Sequence, residues 1–563
     1  MKKTLKYLPF LAALAFVGCS SDDVPANNGG GGEGDGYGYV AVNIMSSAGT
    51  RAEDFVDGTD DENKASEGLF FIFDASGNTI HGNAQRISFT GPETENPAND
   101  NIEKLYSTVL VVDGVTPDPN LDNYQIVCVL NAPEGLENNV STLSALTSKI
   151  ADYKTNCTNA GTFIMTNSVY KNGTDTVVGA KISKVYNSAT EAYANPVDIY
   201  VERVVAKIKM RKADAFSNNT DESKKYISID GTKTEFKIVP TGVALVNLAD
   251  KSYLFKDITG IDATWTWWND AANYRSYWEV VPTIVTTGDT DTSNNMDYTK
   301  NDKKYSDIGK TDFNIDNYTP TEEYVQPNTV AANDTECRQT ALVMTAKLQA
   351  VDGTALTGEK TLAYIRGGYT TSSKALEVVG KYLASTKGWY MRTGTEGSYT
   401  YVPFDKTALE WKNNADLGET DKISGLKRYE VVAQLKTDAQ VYNADGTPVT
   451  DDVNAYLRSD AAKGYYARVF TDGMCYYYVY VQHYTETPTS EGATEPTTTV
   501  YNGVVRNHVY DLALTSVNGV GVPVFDPSDV IIPEKVEDQT TFYLGATVNV
   551  LAWRQVATQN VEF

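Results

Sequence analysis

Apolar residues in this chain come in short runs bounded by turn residues, and only seldom at helical spacing. GLFFIFDASGN (68–78) is an apolar run that ends in a Ser-Gly turn, the pattern of a buried strand entering a hairpin. LYSTVLVVDG (105–114), YQIVCVLNAP (124–133), GTFIMTNSVY (161–170) and PVDIYVERVVAKIKM (196–210) repeat it. The second half continues with FKIVPTGVALVNL (236–248), YWEVV (277–281), RQTALVMTAKLQAV (338–351), GWYMR (388–392), YYARVF (465–470) and MCYYYVYVQ (474–482). Tyrosine is the compositional outlier, 37 against 17 Phe and 7 Trp, and such residues suit a pleated, half-solvated surface. One segment departs from the pattern. Leu143, Leu146, Ile150 and Tyr153 recur at helical spacing behind Ser141 or Thr142, which predicts a short helix.

Strands in both halves with little alternating helix imply an all-β chain of two sandwich domains. The polar stretch 211–225 reads as a linker, and long polar inserts lie at 286–320, 412–425 and 484–500. The boundaries expected are 1–18 for a leader, 19–51 for a propeptide, 52–212 for the first domain and 213–563 for the second, with a tail from about 541. No short-period repeat is evident.

The 563 residues carry 48 Lys plus Arg against 73 Asp plus Glu, a formal charge of −25. That balance argues against nucleic acid, whose phosphates are bound by clustered cations, and against anionic membrane surfaces. The N-terminus offers another route to a membrane. Lys2 and Lys3 precede an apolar stretch from Leu8 to Val17, the layout of a signal peptide and shorter than the ~20 residues a spanning helix needs. Phe16-Val17-Gly18-Cys19 then resembles a bacterial lipobox, with Cys19 as the lipidated residue, and Asp22 and Asp23 follow closely. Lipid on Cys19 is the one membrane attachment expected. A Gly-rich tether, 27–38, separates it from the body.

After the tether, Val40, Val42 and Ile44 alternate with Tyr39, Ala41 and Asn43, the period of a strand with one buried face. SSAGTRAED (46–54) follows, small and polar, with Arg51 and Ala52 at its centre. Locally this is either a plain loop or a place where an arginine-specific protease would cut. Near the other end, Leu544, Ala546, Val548 and Val550 alternate, and Val556, Val561 and Phe563 are further apolar points. The tail reads either as a closing strand of its own domain or as a strand offered to another copy.

Catalytic signatures are missing from the sequence. His81, His483 and His508 are widely spaced, and no HExxH, Walker loop or GxSxG occurs, so the chain reads as a non-enzyme with no cofactor. Asp289, Asp291, Ser293 and Asp297 resemble part of an EF-hand loop. Asn294 stands where the turn Gly belongs and Lys300 where the closing Glu belongs, so a solvated acidic loop is the reading, and no metal is expected. Cys128, Cys157, Cys337 and Cys475 form no CxxC pair and read as buried thiols. Trp265, Trp267, Trp268 and Trp278 read as core, or as a sugar-stacking surface on a glycan-binding lipoprotein.

Several stretches together resemble the Bacteroidales fimbrillins, the pilins of type V fimbriae. VVRNHVYDLALTSVNGVG (504–521) resembles the family's Arg-Asn-x-x-Tyr strand and Gly-containing turn, through Arg506, Asn507 and Tyr510. YVQPNT (324–329) with QTALVMTAKL (339–348), and VERVVAKI (201–208), resemble further family segments. ATVNVLAWRQVATQNVEF (546–563) resembles the tail of the minor-fimbria shaft subunit. The resemblance implies two transthyretin-like β-sandwich domains, with one or few short helices in the first. It implies a lipoprotein precursor that reaches the cell surface through the outer membrane and is cut between Arg51 and Ala52 by an arginine-specific protease. Its partners would be other copies of itself, accessory fimbrial subunits and a ligand on a host or bacterial surface. A shaft subunit supporting adhesion and biofilm formation is the position expected, with tip or anchor as the variants. Removal of the strand holding Val40, Val42 and Ile44 would open a groove for the tail of the next copy, in which Leu544, Ala546, Val548, Val550, Val556, Val561 and Phe563 would supply the apolar points.

Overall fold

The computed structural model describes residues 37–47, 58–80, 84–89, 102–113, 124–159, 161–172, 175–218, 225–259, 274–275, 279–282, 303–329, 338–486, 498–531 and 543–551. The first sheet is built from β1 (Tyr37–Ser47), β2 (Glu67–Phe73), β3 (Gln85–Ser88), β4 (Ile102–Asp113), β5 (Tyr124–Leu130), β6 (Met165–Asn167), β7 (Ala180–Ile182) and β8 (Val197–Arg203). Its order is β3-β2-β5-β6-β8-β1-β4, with β7 also paired to β5. The sheet folds over so that its first and last strands meet. Gln85 of β3 donates its side-chain N–H to the Val111 carbonyl of β4 at 2.7 Å, and Phe89 packs on Tyr106 with ring centroids 5.0 Å apart. Phe70, Phe71, Phe73, Leu110, Ile126, Val127, Ile199 and Val201 fill the interior. Consecutive residues such as Phe70–Phe71 and Ile126–Val127 point to opposite faces and are both buried, so β2 and β5 are covered on both sides, as their continuous apolar runs predict.

Helices here are short: α1 (Asp60–Asn63), α2 (Leu143–Thr147) and α3 (Ala189–Tyr193). The helix expected through Tyr153 stops at Thr147. Thr142 caps it, accepting from the Ala145 N–H at 3.0 Å. Beyond Thr147 the backbone is taken up by sheet pairing instead, with Ile150 opposite Tyr253 and Ala151 opposite Ser252.

The run 196–210 is not one strand. It breaks at Val204 and Val205, and the chain passes there into a second sheet as β9 (Ala206–Asn218), which takes in much of the stretch that composition marks as a linker. Further strands are β10 (Tyr226–Ile229), β11 (Thr232–Val246), β12 (Thr321–Val325), β13 (Ala341–Ala350), β14 (Leu362–Ile365), β15 (Gly368–Thr371), β16 (Ala467–Phe470), β17 (Met474–Tyr480), β18 (Val509–Asn518), β19 (Val522–Pro523) and β20 (Tyr543–Leu551). One sheet runs β12-β9-β18-β20 and the other β16-β14-β15-β10-β11-β13-β17-β19. Ile208, Leu512 and Leu514 of the first pack with Ile238, Met344, Leu348 and Tyr477 of the second. The chain is thus all-β with a few helices, layered as β-sandwich.

Residues 351–473 leave β13 and return as β17, although these two strands are direct antiparallel neighbours, Lys347 opposite Met474. The excursion has its own core of Trp389, Phe404, Trp411, Val379 and Leu383. It also holds the longest helix among the described residues, α4 (Ser372–Lys387), in the half of the chain where no helix is expected from sequence. Thr371 caps its start and Gly388, at φ 66°, ends it in the left-handed conformation that glycine tolerates.

Three cysteines, Cys128, Cys157 and Cys475, are buried free thiols. Burial pushes Cys157 up to about 11 and Cys475 to about 12, so both stay protonated and inert. Cys337 lies outside the described residues.

Candidate functional site

The strand containing Val40, Val42 and Ile44 is held on both sides. β1 runs parallel to β8, with Val42 opposite Val197 and Ser46 opposite Val201. It runs antiparallel to β4, with Val40 opposite Leu110 and Ile44 opposite Tyr106. Val40, Ala41 and Val42 are 1%, 2% and 0% exposed. Alternation predicted one buried face, yet Ala41 on the other face is buried too, and α3 packs against both β1 and β4. β4 is the last strand in the sheet order, so β1 is the only strand between it and β8. Withdrawal of β1 would leave a slot with two ladder-ready walls.

Just beyond the 48–57 connection, the chain is pinned by polar contacts. Thr59 and Glu62 form a capping box around α1. Glu62, 1% exposed, accepts from Lys207 Nζ at 2.7 Å and from the Tyr324 hydroxyl, while Lys207 also reaches Glu322 at 2.9 Å. Burial alone would raise the Glu62 carboxyl, but hydrogen bonds from Lys207, Tyr324 and the Thr59 N–H hold it below its ordinary 4.5. The folded-state pKa is therefore lower than the unfolded one. The carboxylate's contribution is complete above pH 4.5 and is lost as pH falls through the folded value. Glu62→Gln is expected to destabilise the chain by about 2–4 kcal/mol at pH 7, a difference that shrinks in urea titrations run below pH 4.

The motif Arg506-Asn507-x-x-Tyr510 lies at a junction. Arg506, fully buried, pairs with Glu279 at 2.8 Å and donates to the carbonyls of Leu254 and Tyr253, each at 2.8 Å. Asn507, at φ 56°, accepts from Arg203 Nη1 at 3.1 Å, which ties the end of β8 to the start of β18. The Tyr510 hydroxyl accepts from the Val505 N–H at 2.8 Å and lies 2.9 Å from His483 Nδ1. His483 and His508 are thus buried ring neighbours within this junction, 5.0 Å apart. Lys256 and Glu202, both fully buried, pair at 3.0 Å nearby. Glu62, Arg203, Lys207, Glu279 and Tyr324 were not singled out from sequence, because each finds its partner far away along the chain.

At the C-terminal end, β20 lies antiparallel to β18 of its own chain. Leu544 is opposite Val517, Ala546 opposite Leu514, Val548 opposite Leu512 and Val550 opposite Tyr510. β20 is the outer strand of its sheet and is held by one ladder, whereas β1 is held by two. Cys19, Arg51, Ala52, Val556, Val561, Phe563, His81, the tryptophans at 265, 267, 268 and 278, and the acidic loop 289–297 lie outside the described residues.

Comparison with known proteins bears on this C-terminal region. Residues 468–559 match the family described as major fimbrial subunit protein type IV, Fimbrillin, C-terminal. No curated protein matches the chain. Among solved structures, a fimbrilin (fimA) of Porphyromonas gingivalis W83 overlaps at 13% identity, covering 92% of this chain and 98% of its own, with a TM-score of 0.37. The tip fimbrial protein Mfa3 of Porphyromonas gingivalis overlaps at 11% identity, covering 92% and 100%, with a TM-score of 0.29. A fimbrial assembly protein of Parabacteroides distasonis ATCC 8503 overlaps at 13% identity, covering 72% and 97%, with a TM-score of 0.27. These overlaps are loose, and the specific finding is the family match. The resemblance to the fimbrillins is shown over residues 468–559, the stretch that carries β17, the Arg506–Tyr510 motif and the tail strand β20.

Proposed function

We propose that the chain is a fimbrial subunit, a structural pilin of a type V fimbria that polymerises by donor-strand exchange. The observation that carries the reading is β1 itself, an N-terminal strand inserted between β8 and β4 with Val40, Ala41 and Val42 buried. In this reading the precursor is carried to the surface by lipid on Cys19. An arginine-specific protease cuts between Arg51 and Ala52, within the 48–57 connection that joins β1 to α1. The freed strand leaves, and the tail of another copy takes the slot, with Leu544, Ala546, Val548 and Val550 at its alternating positions and Val556, Val561 and Phe563 beyond them.

The exchange has a physical direction. In its own chain β20 has a ladder on one edge, to β18, and also lies close to β17, while the slot offers a strand on each side. A donor that moves between them gains a second ladder, at about 0.5–1.5 kcal/mol net per hydrogen bond. Burying four or five alternating apolar side chains is worth on the order of 6–15 kcal/mol before ordering costs and before subtracting what they bury in their own chain. A shaft position is the reading because the tail is present; a tip subunit needs no exposed donor, and an anchor keeps its lipid.

Deletion of 552–563 tests the donor role. Such a chain is expected to be accepted at the end of a growing fibre and to stop its extension, giving short filaments by electron microscopy when mixed with the full chain. Normal fibres from the truncated chain alone would remove the tail from the mechanism.

A further inference from the structure

Withdrawal of β1 raises a mechanical difficulty. β4 would keep the Gln85–Val111 hydrogen bond and the Phe89–Tyr106 packing toward β3, but would lose its ladder toward β8, and a slot whose two walls shift apart cannot receive a donor. We infer that the α1 segment, 58–65, is a clamp that holds the two walls of the slot at a fixed separation once β1 has gone, with Tyr106 and Arg203 as its positioning residues. The inference rests on the strand-exchange reading for its purpose, but not for its geometry.

On one wall, the Tyr106 hydroxyl of β4 accepts from the Ala65 N–H at 2.8 Å and donates to the Asn63 carbonyl at 3.2 Å. On the other, Arg203 at the end of β8 donates through Nε to the Glu62 carbonyl at 3.1 Å and through Nη2 to the Asn63 side-chain oxygen. Asn63 thus meets both walls, and its own side-chain N–H returns to the Gly58 carbonyl at 3.0 Å. Tyr106 is 6% exposed, Arg203 1% and Asn63 3%, so this bridge is shielded from water. Register fixes its position: Ile44 lies opposite Tyr106 and Ser46 opposite Val201, so the bridge spans the end of β1 that leads to the 48–57 connection. A cut at Arg51 lies between β1 and the bridge, and severs the first without touching the second. At the opposite end of the slot, α3 packs against β4 as well as β1.

The test compares native Tyr106 with Tyr106→Phe, which keeps the ring against Phe89 and removes only the hydroxyl. Spin labels are placed at Val111 of β4 and Tyr200 of β8, each 38% exposed, in full chains with Cys19 and Cys337 changed to Ser. β1 is displaced in two ways: by protease cutting after Arg51, and without any cut by Val40→Asp/Val42→Asp. The inter-label distance distribution is read by pulsed electron paramagnetic resonance, with binding of a synthetic 37–47 peptide as the second readout. With the hydroxyl present, the distribution in either β1-displaced form should stay as narrow as in the intact chain. Tyr106→Phe should broaden it only when β1 is displaced, and should weaken peptide binding about tenfold, the loss expected from two hydrogen bonds. A β1-displaced Tyr106→Phe chain as narrow as the native one would overturn the clamp. Broadening on displacement with the hydroxyl intact would overturn it too. A chain that binds 37–47 but refuses a 543–563 peptide would instead count against the tail as donor, and leaves the clamp standing.

Discussion

If the chain polymerises by strand exchange as proposed, Arg51→Ala is expected to abolish polymerisation and leave a folded, lipid-bearing monomer, seen as the absence of filaments by electron microscopy after a trypsin-like treatment under which the native chain is expected to assemble. The effect should be large because the uncut strand competes from within the same molecule. Short tethers present a segment at millimolar effective concentration, well above what a second copy offers in solution. Occupancy of the slot by β1 also buries Val40 and Val42 completely, about 3–6 kcal/mol for two valines, or roughly two to four orders of magnitude in equilibrium constant. N-terminal sequencing of assembled native material should begin at Ala52. Fibres of normal length from Arg51→Ala would show that the leading strand is no obstacle, and the slot would cease to be the receptor.

The second large effect concerns Arg506. Arg506→Met removes a cation with no solvent exposure and leaves Glu279, 1% exposed, with the backbone N–H of residue 506 at 2.9 Å but without its countercharge. Three guanidinium nitrogens lose protein partners at once: Nε to Glu279 at 2.9 Å, and Nη1 and Nη2 to the backbone carbonyls of Leu254 and Tyr253. Breaking a buried pair from one side typically costs about 3–5 kcal/mol, which for a chain of this size lowers Tm by roughly 2–4 °C. Replacing both partners, Arg506→Met with Glu279→Leu, should recover part of that loss, because no charge is then stranded. Thermal melts of the two variants decide the matter. A single variant as stable as the native chain would mean that the motif is not a fastener.

How much of this was written in the sequence depends on the range of the interaction. Strands such as 68–73 and 341–350 were legible because alternation or a continuous apolar run is a local signal, and burial follows it residue by residue. The break at Val204–Val205 was not, since both residues are apolar and buried and continue the run in composition while the chain changes sheets. α4 has a local signal of its own: Ala375, Val379 and Leu383 recur every fourth residue between Thr371 and Gly388. Gly380 in its middle weakens the helix reading, and the fold explains it, because a Cβ there would lie 2.9 Å from the Asp405 backbone. The tail's alternation was legible as a strand, and its pairing with β18 places it on the edge of its own sheet. The polar bridge around Asn63 and Arg203 had no local signature at all. Glu62 and Lys207, or Arg203 and Asn507, are ordinary polar residues until folding brings them together across 145 and 304 positions of chain.

The excursion formed by 351–473 starts and finishes on adjacent strands, with Lys347 and Met474 side by side. Its strands β14, β15 and β16 extend the same sheet through β10, so the part that can lengthen or shrink without opening the sheet is 372–466, between β15 and β16. The core around Trp389 and Trp411 is seated on that sheet through Ala363 and Ile365 of β14 and Ala467 and Val469 of β16. Change in 372–466 can therefore be absorbed at the end of the sheet while the β13–β17 ladder stays closed.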